Sequence, residues 1–404
     1  MADYDVTLSQ TLLPALLSGQ DGLAKLLQSA LNQVLEAQMT EHIGAERYER
    51  AEERDGRYRN GHRERQLYTR VGPISLRIPQ TRDGSFSTEI FERYQRSERA
   101  FVLGLMEMYV TGTSTRKVTK ITEELCGVSF SKSTVSRLCA GLDEAVEPFL
   151  KRDLEPYYPF VIVDAMFTKS RTNGQVVSKA LLIASAVRPD GYREPIGFAV
   201  GDSESYATWD ALFKNLKERK LERVDFVISD NHSGLKKAAM KHFSGATWQR
   251  CQVHLQRNIG DHSPRKEREA INAATKLVLY AADRDEAIRR RDDFVERFSK
   301  TAPKAVACLE EAFDDAIAVL CLPEKYRKRL RSTNMQERLN EEIRRRERVL
   351  RIFPNDAAAK RLVGALLIDA FETWQERRYL DMAEYHEWRE RQDRKAPIST
   401  RKAA

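Results

Sequence analysis

The sequence predicts an α/β fold in which short strands alternate with helices and a wholly helical block follows. Three apolar runs come in succession from residue 158 onwards, separated by turn residues: PFVIVDAMF, SKALLIASAV and EPIGFAVGD. A helix pattern at 205–220, a strand pattern at 223–229 and a helix pattern at 232–243 come next. Short apolar runs between turn signals are typical of strands, and apolar residues spaced by three and four are typical of helices.

The order of these elements narrows the fold class. Three strands, a helix, a strand and a helix form the element order of a ribonuclease-H-like α/β core. Residues 262–330 carry only helical patterns, and two more helices are predicted on either side of the FPN at 353–355. We therefore expect an α/β ribonuclease-H-like core, with an all-helical block inside it and a mainly helical region in front of it.

The N-terminal region contains three kinds of pattern. Leucines of LAKLLQSALNQVLEAQM recur at helical spacing, which predicts an amphipathic helix for packing or dimerisation. Residues 52–65 are almost all charged or polar, which is typical of a linker or of a segment that follows DNA. The run QLYTRVGPISLRIPQTRDGSF alternates apolar and polar residues around two turn signals and predicts a β-hairpin.

Two short helices are predicted on either side of Gly127, the second of them capped by Ser131 or Ser133. A helix-turn-helix presents the first residues of its second helix to DNA. Three-helix units of this kind also occur as structural modules without a DNA-reading role. The candidate DNA-binding residues at the start of this helix are Lys132, Ser133, Thr134, Ser136 and Arg137.

These patterns divide the chain into seven predicted segments. They are an N-terminal helical region (1–65), a hairpin (66–96), a helix-turn-helix-like DNA-binding domain (97–152), the first part of the core (153–261), a helical insertion (262–330), the second part of the core (331–385) and a basic tail (386–404).

Charge indicates the kind of partner. The chain has 404 residues, a formal net charge of +8 and a pI near 9.1. Between Lys325 and Arg351 there are eleven Lys and Arg against four Glu, so the excess is concentrated. A concentrated positive charge predicts a polyanionic partner such as nucleic acid.

Other features exclude several classes of protein. The five cysteines are scattered, which argues against a disulfide framework. Neither an export signal nor an apolar run of membrane-spanning length is present. Motifs for ATP binding (GxxxxGK[ST]) and for a serine nucleophile (GxSxG) are also missing from the sequence. We expect a cytoplasmic protein, associated with the nucleoid when bound to DNA, that uses no ATP.

Two aspartates follow apolar strands. Asp164 ends VIVD and Asp230 ends FVISD, and in an α/β sheet such positions lie at the edge where ligands bind. An aspartate after a strand can also simply cap the next element. Two such residues on neighbouring strands favour a shared role, because paired carboxylates repel each other unless a cation lies between them.

A glutamate in the helix after residue 330 is the third candidate. Asn334 as N-cap would place Glu337 at the third helical position, close to a capping box. The helix also has an apolar stripe that would pack on the sheet and hold Glu337 near the aspartates, with Asn340 beside it. Three carboxylates can hold two divalent ions for phosphoryl transfer, here Mg²⁺ or Mn²⁺. Arg331, Asn334, Arg344 and Arg348 would then contact DNA.

Two further sites have both a structural and a functional interpretation. Cys251 and His254 form CxxH, half of a zinc site without a second half nearby, so a buried structural pair is favoured, with His254 near the active site. Trp209 lies on the apolar face of its helix, where a core role is favoured over stacking on a flipped base.

Seven motifs together resemble a known family. They are RNGHRERQLYTRVGPISLRIPQTRDGSF, GTSTRKV, SKSTVSRL, DAMFTKSR, SDNHSGLKKA, QRCQVHLQRN and RSTNMQERLNEEIRRR with FPN. In this order they resemble the mutator-type transposases of bacterial insertion sequences.

The resemblance implies a DDE transposase with a ribonuclease-H-like core and an all-helical insertion. Its triad falls on Asp164, Asp230 and Glu337, and its CxxH on Cys251 and His254. The departures from the family pattern, at Phe167, Asn231 and Glu341, remove no catalytic group.

We expect a homodimer that binds double-stranded DNA, both the terminal inverted repeats of its element and the target. It would cleave and transfer strands with two Mg²⁺ or Mn²⁺ ions. The alternatives are a catalytically inactive DNA-binding regulator derived from such an enzyme and a stand-alone ribonuclease-H-like nuclease.

Overall fold

The computed structural model describes residues 4–7, 21–49, 58–91, 97–126 and 130–395. The chain divides into two compact units, Met1–Gly141 and Leu142–Ala404. This boundary lies inside the predicted DNA-binding segment 97–152, because the last helix of that segment belongs to the second unit. Among the described residues, no helix is both long enough and apolar enough to span a bilayer.

A long helix and a β-hairpin form the first part of the first unit. The elements are α1 (Asp21–Ile43), β1 (Arg59–Thr69) and β2 (Gly72–Thr81). Leu35 of α1 is packed with Leu67 and Leu76 of the hairpin, so the amphipathic face of α1 is used within its own unit. The side chains of Gln28 and Asn32 accept hydrogen bonds from the outer backbone edge of β2.

The hairpin begins earlier than expected. Residues 52–65 are expected from their charge to be a linker or a segment that follows DNA, yet residues 59–65 form most of β1. They pair with β2 in register, for example Arg63 with Ile78 and Arg65 with Leu76. One face of a two-stranded sheet is open to solvent and tolerates charged side chains, so charge alone did not exclude a strand here.

Three helices complete the first unit: α2 (Arg99–Val110), α3 (Thr115–Cys126) and α4 (Lys132–Leu138). Ser131 is the N-cap of α4, and its side chain accepts from the N–H of Thr134. The predicted joint at Gly127 lies outside the described residues. Thr119 donates its hydroxyl to the carbonyl of Phe130 at 2.7 Å and so ties α3 to the start of α4.

The second unit contains one five-stranded mixed sheet in the order β5-β4-β3-β6-β7. Strands β3, β4 and β5 are antiparallel neighbours, whereas β6 and β7 run parallel to β3. The strands are β3 (Tyr157–Thr172), β4 (Gln175–Val187), β5 (Arg193–Gly201), β6 (Arg223–Ser229) and β7 (Thr247–Arg250).

Some of the helices of the second unit pack around this sheet, and others form a separate helical block. They are α5 (Asp143–Lys151), α6 (Tyr206–Glu218), α7 (Ser233–His242), α8 (Gln252–Asp261), α9 (Arg268–Leu279), α10 (Arg284–Phe298), α11 (Pro303–Ile317), α12 (Glu324–Leu330), α13 (Asn334–Leu350), α14 (Asp356–Gln375) and α15 (Ala383–Lys395). Helices α8 to α11 share a hydrophobic core of their own, which contains Phe294 and Phe298.

Alternation along the strands assigns each side chain to one face of the sheet. Val161 and Val163 of β3 belong to the core beneath α6 and α7. Phe160 and Ile162 belong to the core on the other face, together with Met335 of α13. Successive strand residues point to opposite faces, so both cores are needed to bury this sheet.

Helix α5 packs closely on α14, which places it in the second unit. Asp143 accepts two hydrogen bonds from the Arg361 guanidinium, at 2.9 and 2.5 Å. A Cβ at Gly364 would lie 2.3 Å from Val146 Cγ1, so only glycine permits this approach of the two helices.

The segment expected to be a tail is partly helical. A basic tail was predicted for residues 386–404, but residues 386–395 belong to α15. Tyr385 is buried in the core of the α13 face and donates its hydroxyl to Asp225 of β6 at 2.6 Å. Tyr385 therefore anchors a helix whose other residues are largely charged.

Candidate active site

Strand register brings Asp164 and Asp230 to one level of the sheet. The parallel pairing of β3 with β6 ends at Ile162 and Ile228, and each aspartate lies two residues further on. Both therefore point to the same face as Phe160 and Phe226, which is the face covered by α13. Asp230 follows β6 as expected.

Asp164, in contrast, lies within β3 and not at its end, which corrects the prediction from sequence. The strand continues to Thr172 because it still pairs with β4 there, from Asp164 opposite Ile183 to Thr172 opposite Gln175. Only β6, the parallel partner of β3, ends at the level of Asp164. Asp164 is consequently 8% exposed, whereas Asp230 is partly exposed.

Helix α13 supplies the third carboxylate. Met335, Leu339 and Ile343 are buried on its inner face. Glu337 lies at the rim of this face, with 28% of its side chain exposed. The N-terminal cap of α13 differs from the expectation, because Thr333 is the N-cap and Asn334 is the first helical residue. Glu337 is therefore not part of a capping box. The role of Glu337 thus has to be explained by its surroundings.

A buried chain of hydrogen bonds orients Asp164. Asn340 donates from Nδ2 to Asp164 Oδ2 at 2.8 Å. Gln336 donates from Nε2 to Asn340 Oδ1 at 3.1 Å, and Ser185 of β4 donates to Gln336 Oε1 at 2.7 Å. Asn340 was expected near the site, while Gln336 and Ser185 were not. In the sequence, Gln336 cannot be distinguished from a surface glutamine of a helix. Only its burial in the structure shows that it orients Asn340.

Cys251 and His254 lie beside Glu337. Cys251 is buried and is the N-cap of α8, and its Sγ accepts from the N–H and the hydroxyl of Thr333, each at 3.4 Å. His254 Nε2 is 3.6 Å from Glu337 Oε1. The pair therefore links α8 to the start of α13, as expected for a structural pair near the active site.

Burial and neighbouring charges shift the titration of these groups. Burial, followed by the negative charge of Asp230, raises the pKa of Asp164 to about 7. A hydrogen bond with Cys251 raises the pKa of His254 to about 9. Burial by itself raises the pKa of the Cys251 thiol, but hydrogen bonds with His254 and Thr333 outweigh it and lower the pKa overall. A cationic His254 thus partly offsets the carboxylate charge.

Glu204 is a fourth carboxylate close to the site, and it was not predicted. Burial and then the charge of Asp230 raise its pKa. Its Oε1 accepts from Trp209 Nε1 at 3.2 Å and lies 3.7 Å from His232 Nδ1. Glu204 directly precedes the helix-capping Ser205 and belongs to none of the recognised motifs, so nothing in the sequence distinguished it.

The carboxylates fit a divalent ion by their chemistry. Asp230 Oδ1 and Glu337 Oε1 are buried, and neither atom has a hydrogen bond from the part of the chain that the structure describes. Carboxylate oxygens are the ligands that Mg²⁺ and Mn²⁺ prefer, and a bound cation would relieve the repulsion that raises the pKa of Asp164. In the arrangement described for residues 4–7, 21–49, 58–91, 97–126 and 130–395, no three His, Cys, Asp or Glu side chains surround one point as metal ligands.

The candidate DNA-binding residues of α13 lie on its open side. Arg344 and Arg348 are exposed, and within the described part of the chain neither forms an ion pair. Arg345 and Arg346 instead bind Glu342, at 3.2 and 2.8 Å. Asn334 is exposed at the first position of the helix.

Arg331 lies elsewhere, with its guanidinium 3.8 Å from the ring centre of Tyr280. It therefore belongs to the edge of the helical block and not to the open side of α13.

The predicted recognition helix belongs to the first unit and is described by itself. Arg137 is exposed on α4, while Thr134 is half-buried and bonded to the capping Ser131. The side chains of Lys132 and Ser133 fall outside what the structure describes. Thr134 therefore contributes to the helix start.

Trp209 is a core residue. Its side chain is fully buried and lies against Phe213, with ring centres 5.8 Å apart. A side chain without exposed surface is not available for stacking on a base. The structural interpretation of this tryptophan is the one that agrees with its burial.

Comparison with known proteins identifies the family. The profile of "Transposase, Mutator family" matches residues 4–377. The chain is 44% identical over 382 residues to the transposase for insertion sequence element ISRM5 of Rhizobium meliloti (strain 1021), covering 94% of this chain and 96% of that protein. It is 44% identical over 363 residues to the transposase for IS256 in transposon Tn4001 of Staphylococcus aureus, covering 88% and 92%.

A third relative is more distant. The transposase for IS1081 of Mycobacterium tuberculosis (strain H37Rv) is 35% identical over 365 residues, which cover 90% of this chain and 88% of that protein. A profile match and relatives that span nearly the whole chain establish common ancestry over both compact units. The chain belongs to the Mutator family of transposases.

Proposed function

We propose that this transposase is a DDE enzyme that binds the terminal inverted repeats of its insertion sequence and cleaves and transfers DNA strands with divalent metal ions. The observation that carries the proposal is that Asp164 and Asp230 lie level on the face of the sheet that α13 covers, with Glu337 at the rim of the inner face of α13. The two aspartates are level through strand register, and the charges of Asp230 and Glu337 both act on Asp164.

We also propose that the five-stranded sheet is a ribonuclease-H-like core and that residues 262–330, with helices α9 to α12, are an insertion within it. The support is the strand order, with three antiparallel strands followed by two parallel ones beside β3. The helical block has its own hydrophobic core between β7 and α13, which is the organisation of an inserted domain.

Asp164, Asp230 and Glu337 would hold two Mg²⁺ or Mn²⁺ ions. Such ions activate the attacking oxygen and stabilise the leaving oxygen of an in-line phosphoryl transfer. Asn340 keeps Asp164 Oδ2 oriented, and His254 places a positive charge beside Glu337. Arg344 and Arg348, exposed further along α13, would hold backbone phosphates. Two copies of the chain would place one site at each element end.

The test is nicking of duplex DNA that carries the inverted repeats flanking the gene, with Mg²⁺ and without it. Asp164→Asn, Asp230→Asn and Glu337→Gln should each abolish nicking and leave DNA binding within a few-fold of the wild type. Glu341→Gln, at an exposed position of the same helix, is the matched control and should remain active.

Two outcomes would count against the proposal. If the wild type bound these ends without nicking them, the chain would be an inactive DNA-binding derivative of a transposase. If one of the three variants kept substantial nicking, the mutated residue would not be a metal ligand.

A further inference from the structure

The packing of helices α6 and α7 brings a fourth carboxylate to the proposed metal site. Glu204 lies between β5 and the start of α6, and Asp230 lies between β6 and the start of α7. The two helices touch at their first turns, because a Cβ at Gly234 would be 2.6 Å from the backbone nitrogen of Tyr206. Glu204 and Asp230 are thus held in neighbouring segments by a close approach of the backbone.

A buried tryptophan fixes the Glu204 side chain. Trp209 is fully buried, and its Nε1 donates to Glu204 Oε1 at 3.2 Å. An indole has a single donor, and here that donor is used on Glu204. Within the described part of the chain, no hydrogen bond or ion pair reaches the second oxygen, Oε2. The carboxylate is therefore oriented through one oxygen while the other keeps its capacity as a ligand.

The negative charge of Glu204 has no cation opposite it among the residues that the structure describes. Its side chain is 14% exposed, and its Oε1 lies 3.7 Å from His232 Nδ1. His232 is the N-cap of α7, and the same Nδ1 accepts from the N–H of Leu235 at 3.2 Å. A ring nitrogen that accepts a hydrogen bond carries no proton, so His232 is neutral here and does not pair with Glu204. A largely buried carboxylate without a counter-charge is costly.

Asp230 places a second negative charge beside Glu204. After burial, this charge is the largest cause of the raised pKa of Glu204. The same charge acts on Asp164, so Asp230 has two carboxylate neighbours. Asp230 Oδ1 is itself buried and has no hydrogen bond from the described chain. Carboxylates gathered in this way repel each other unless a cation lies among them.

We propose that Glu204 is a fourth acidic group of the metal site and attracts the divalent ion at Asp230 through its negative charge and its free Oε2. The inference rests on the proposed function, in which Asp230 is a metal ligand. Trp209 keeps the carboxylate of Glu204 in place, as hydrogen-bonded partners outside the ligand set do in other metal sites.

The first test measures the binding of Mn²⁺ to the full-length protein without DNA, by electron paramagnetic resonance of the free ion. Glu204→Gln removes the charge but retains an oxygen that accepts from Trp209. It should weaken Mn²⁺ binding roughly tenfold, which is the size of effect found for groups that support metal ligands. Glu218→Gln, at the exposed last position of α6, is the matched control and should bind Mn²⁺ as the wild type does.

The second test measures nicking of element ends as Mn²⁺ is titrated. The curve of Glu204→Gln should shift to roughly tenfold higher Mn²⁺ and reach a rate close to that of the wild type at saturation, because the three other carboxylates are intact. Urea unfolding in EDTA is a reading without metal. Glu204→Gln should be at least as stable as the wild type, since it removes the repulsion with Asp230. A purely structural role for the Glu204 carboxylate predicts a loss of stability.

The inference is overturned if Glu204→Gln binds Mn²⁺ as tightly as the wild type, or if it loses nicking at every Mn²⁺ concentration. A loss of stability in EDTA would also overturn it, because a weakened fold would then explain weaker binding. Asp230→Asn separates this inference from the proposed function. If Asp230→Asn weakens Mn²⁺ binding and Glu204→Gln does not, the role of Glu204 alone is contradicted. If Asp230→Asn also binds Mn²⁺ as the wild type does, the proposed metal site itself is contradicted.

Discussion

The side chain of Asn340 donates to Asp164 Oδ2 at 2.8 Å and so joins two segments that are 176 residues apart in the chain. A hydrogen bond to a charged group contributes about 1.5–3 kcal/mol. We predict that Asn340→Ala lowers the nicking rate about ten- to hundred-fold, because each 1.36 kcal/mol corresponds to a tenfold change in rate. DNA affinity should be unchanged. Glu341→Ala at the next, exposed position serves as the control, and equal losses in both variants would contradict the prediction.

Gln336 acts on the same carboxylate through Asn340. Gln336→Leu should lower the nicking rate by a smaller factor, about three- to ten-fold, since one neutral hydrogen bond of ~1 kcal/mol is lost. The informative comparison is the double variant with Asn340→Ala. Two residues in one hydrogen-bond chain are not additive, so the double variant should be no slower than Asn340→Ala alone. Fully additive losses would show that Gln336 acts independently.

The raised pKa of Asp164 predicts how stability depends on pH. The folded protein holds this proton up to a pH of about 7, against an ordinary value of 3.8. Its contribution to stability is therefore complete below pH ~4 and is lost as the pH rises through 7, by an amount on the order of a few kcal/mol. In EDTA, Asp164→Asn should unfold at a higher urea concentration than the wild type at pH 7.5 and show a smaller difference at pH 4.5. The exposed Asp261→Asn is the control. An identical pH dependence in Asp164→Asn and the wild type would show that Asp164 titrates normally.

The arginines of α13 should separate into two groups. Arg344→Ala and Arg348→Ala should reduce nicking strongly, and each should reduce the slope of log K against log salt by about one ion, the effect of one lost phosphate contact. Arg345→Ala should do little, because this exposed side chain already binds Glu342. Arg346, whose side chain is 11% exposed, should mainly affect stability. Equal effects from all four variants would indicate a diffuse electrostatic surface.

Arg137 tests the recognition helix in the full-length protein. Arg137→Ala should weaken binding to element ends more than binding to random duplex, since base contacts specify sequence and phosphate contacts do not. A loss of about 1–3 kcal/mol in discrimination is the expected size for one base contact. Arg116→Ala, also exposed in this helical region, is the comparison. A parallel loss on both DNAs would assign Arg137 to the backbone.

The parts of the site that follow strand and helix patterns could be predicted from sequence. Asp164 and Asp230 follow buried apolar runs, and the spacing of Met335, Leu339 and Ile343 placed Glu337 near them. The cap at Thr333, the continuation of β3 past Asp164 and the strand at 59–65 were missed. Each of these depends on a partner in another element: Cys251 for Thr333, β4 for β3, and β2 for β1. The roles of Gln336 and Glu204 depend on their burial, which local sequence patterns do not predict.

Helix α13 is tied to β3 at both ends, and this has a consequence for when activity can arise. Asn340 reaches Asp164, Glu347 accepts from Thr168, and beyond the helix Phe353 pairs with Ser170. All of these contacts join one strand to residues made more than a hundred and fifty positions later, and Tyr385 closes the same face later still. Contacts of such long range form late, and the N-terminal parts of a chain fold first during synthesis. The first compact unit, for which we propose DNA binding, would therefore fold in a nascent or truncated chain before the active site is complete. Premature termination would then produce a binder of element ends and not a nuclease.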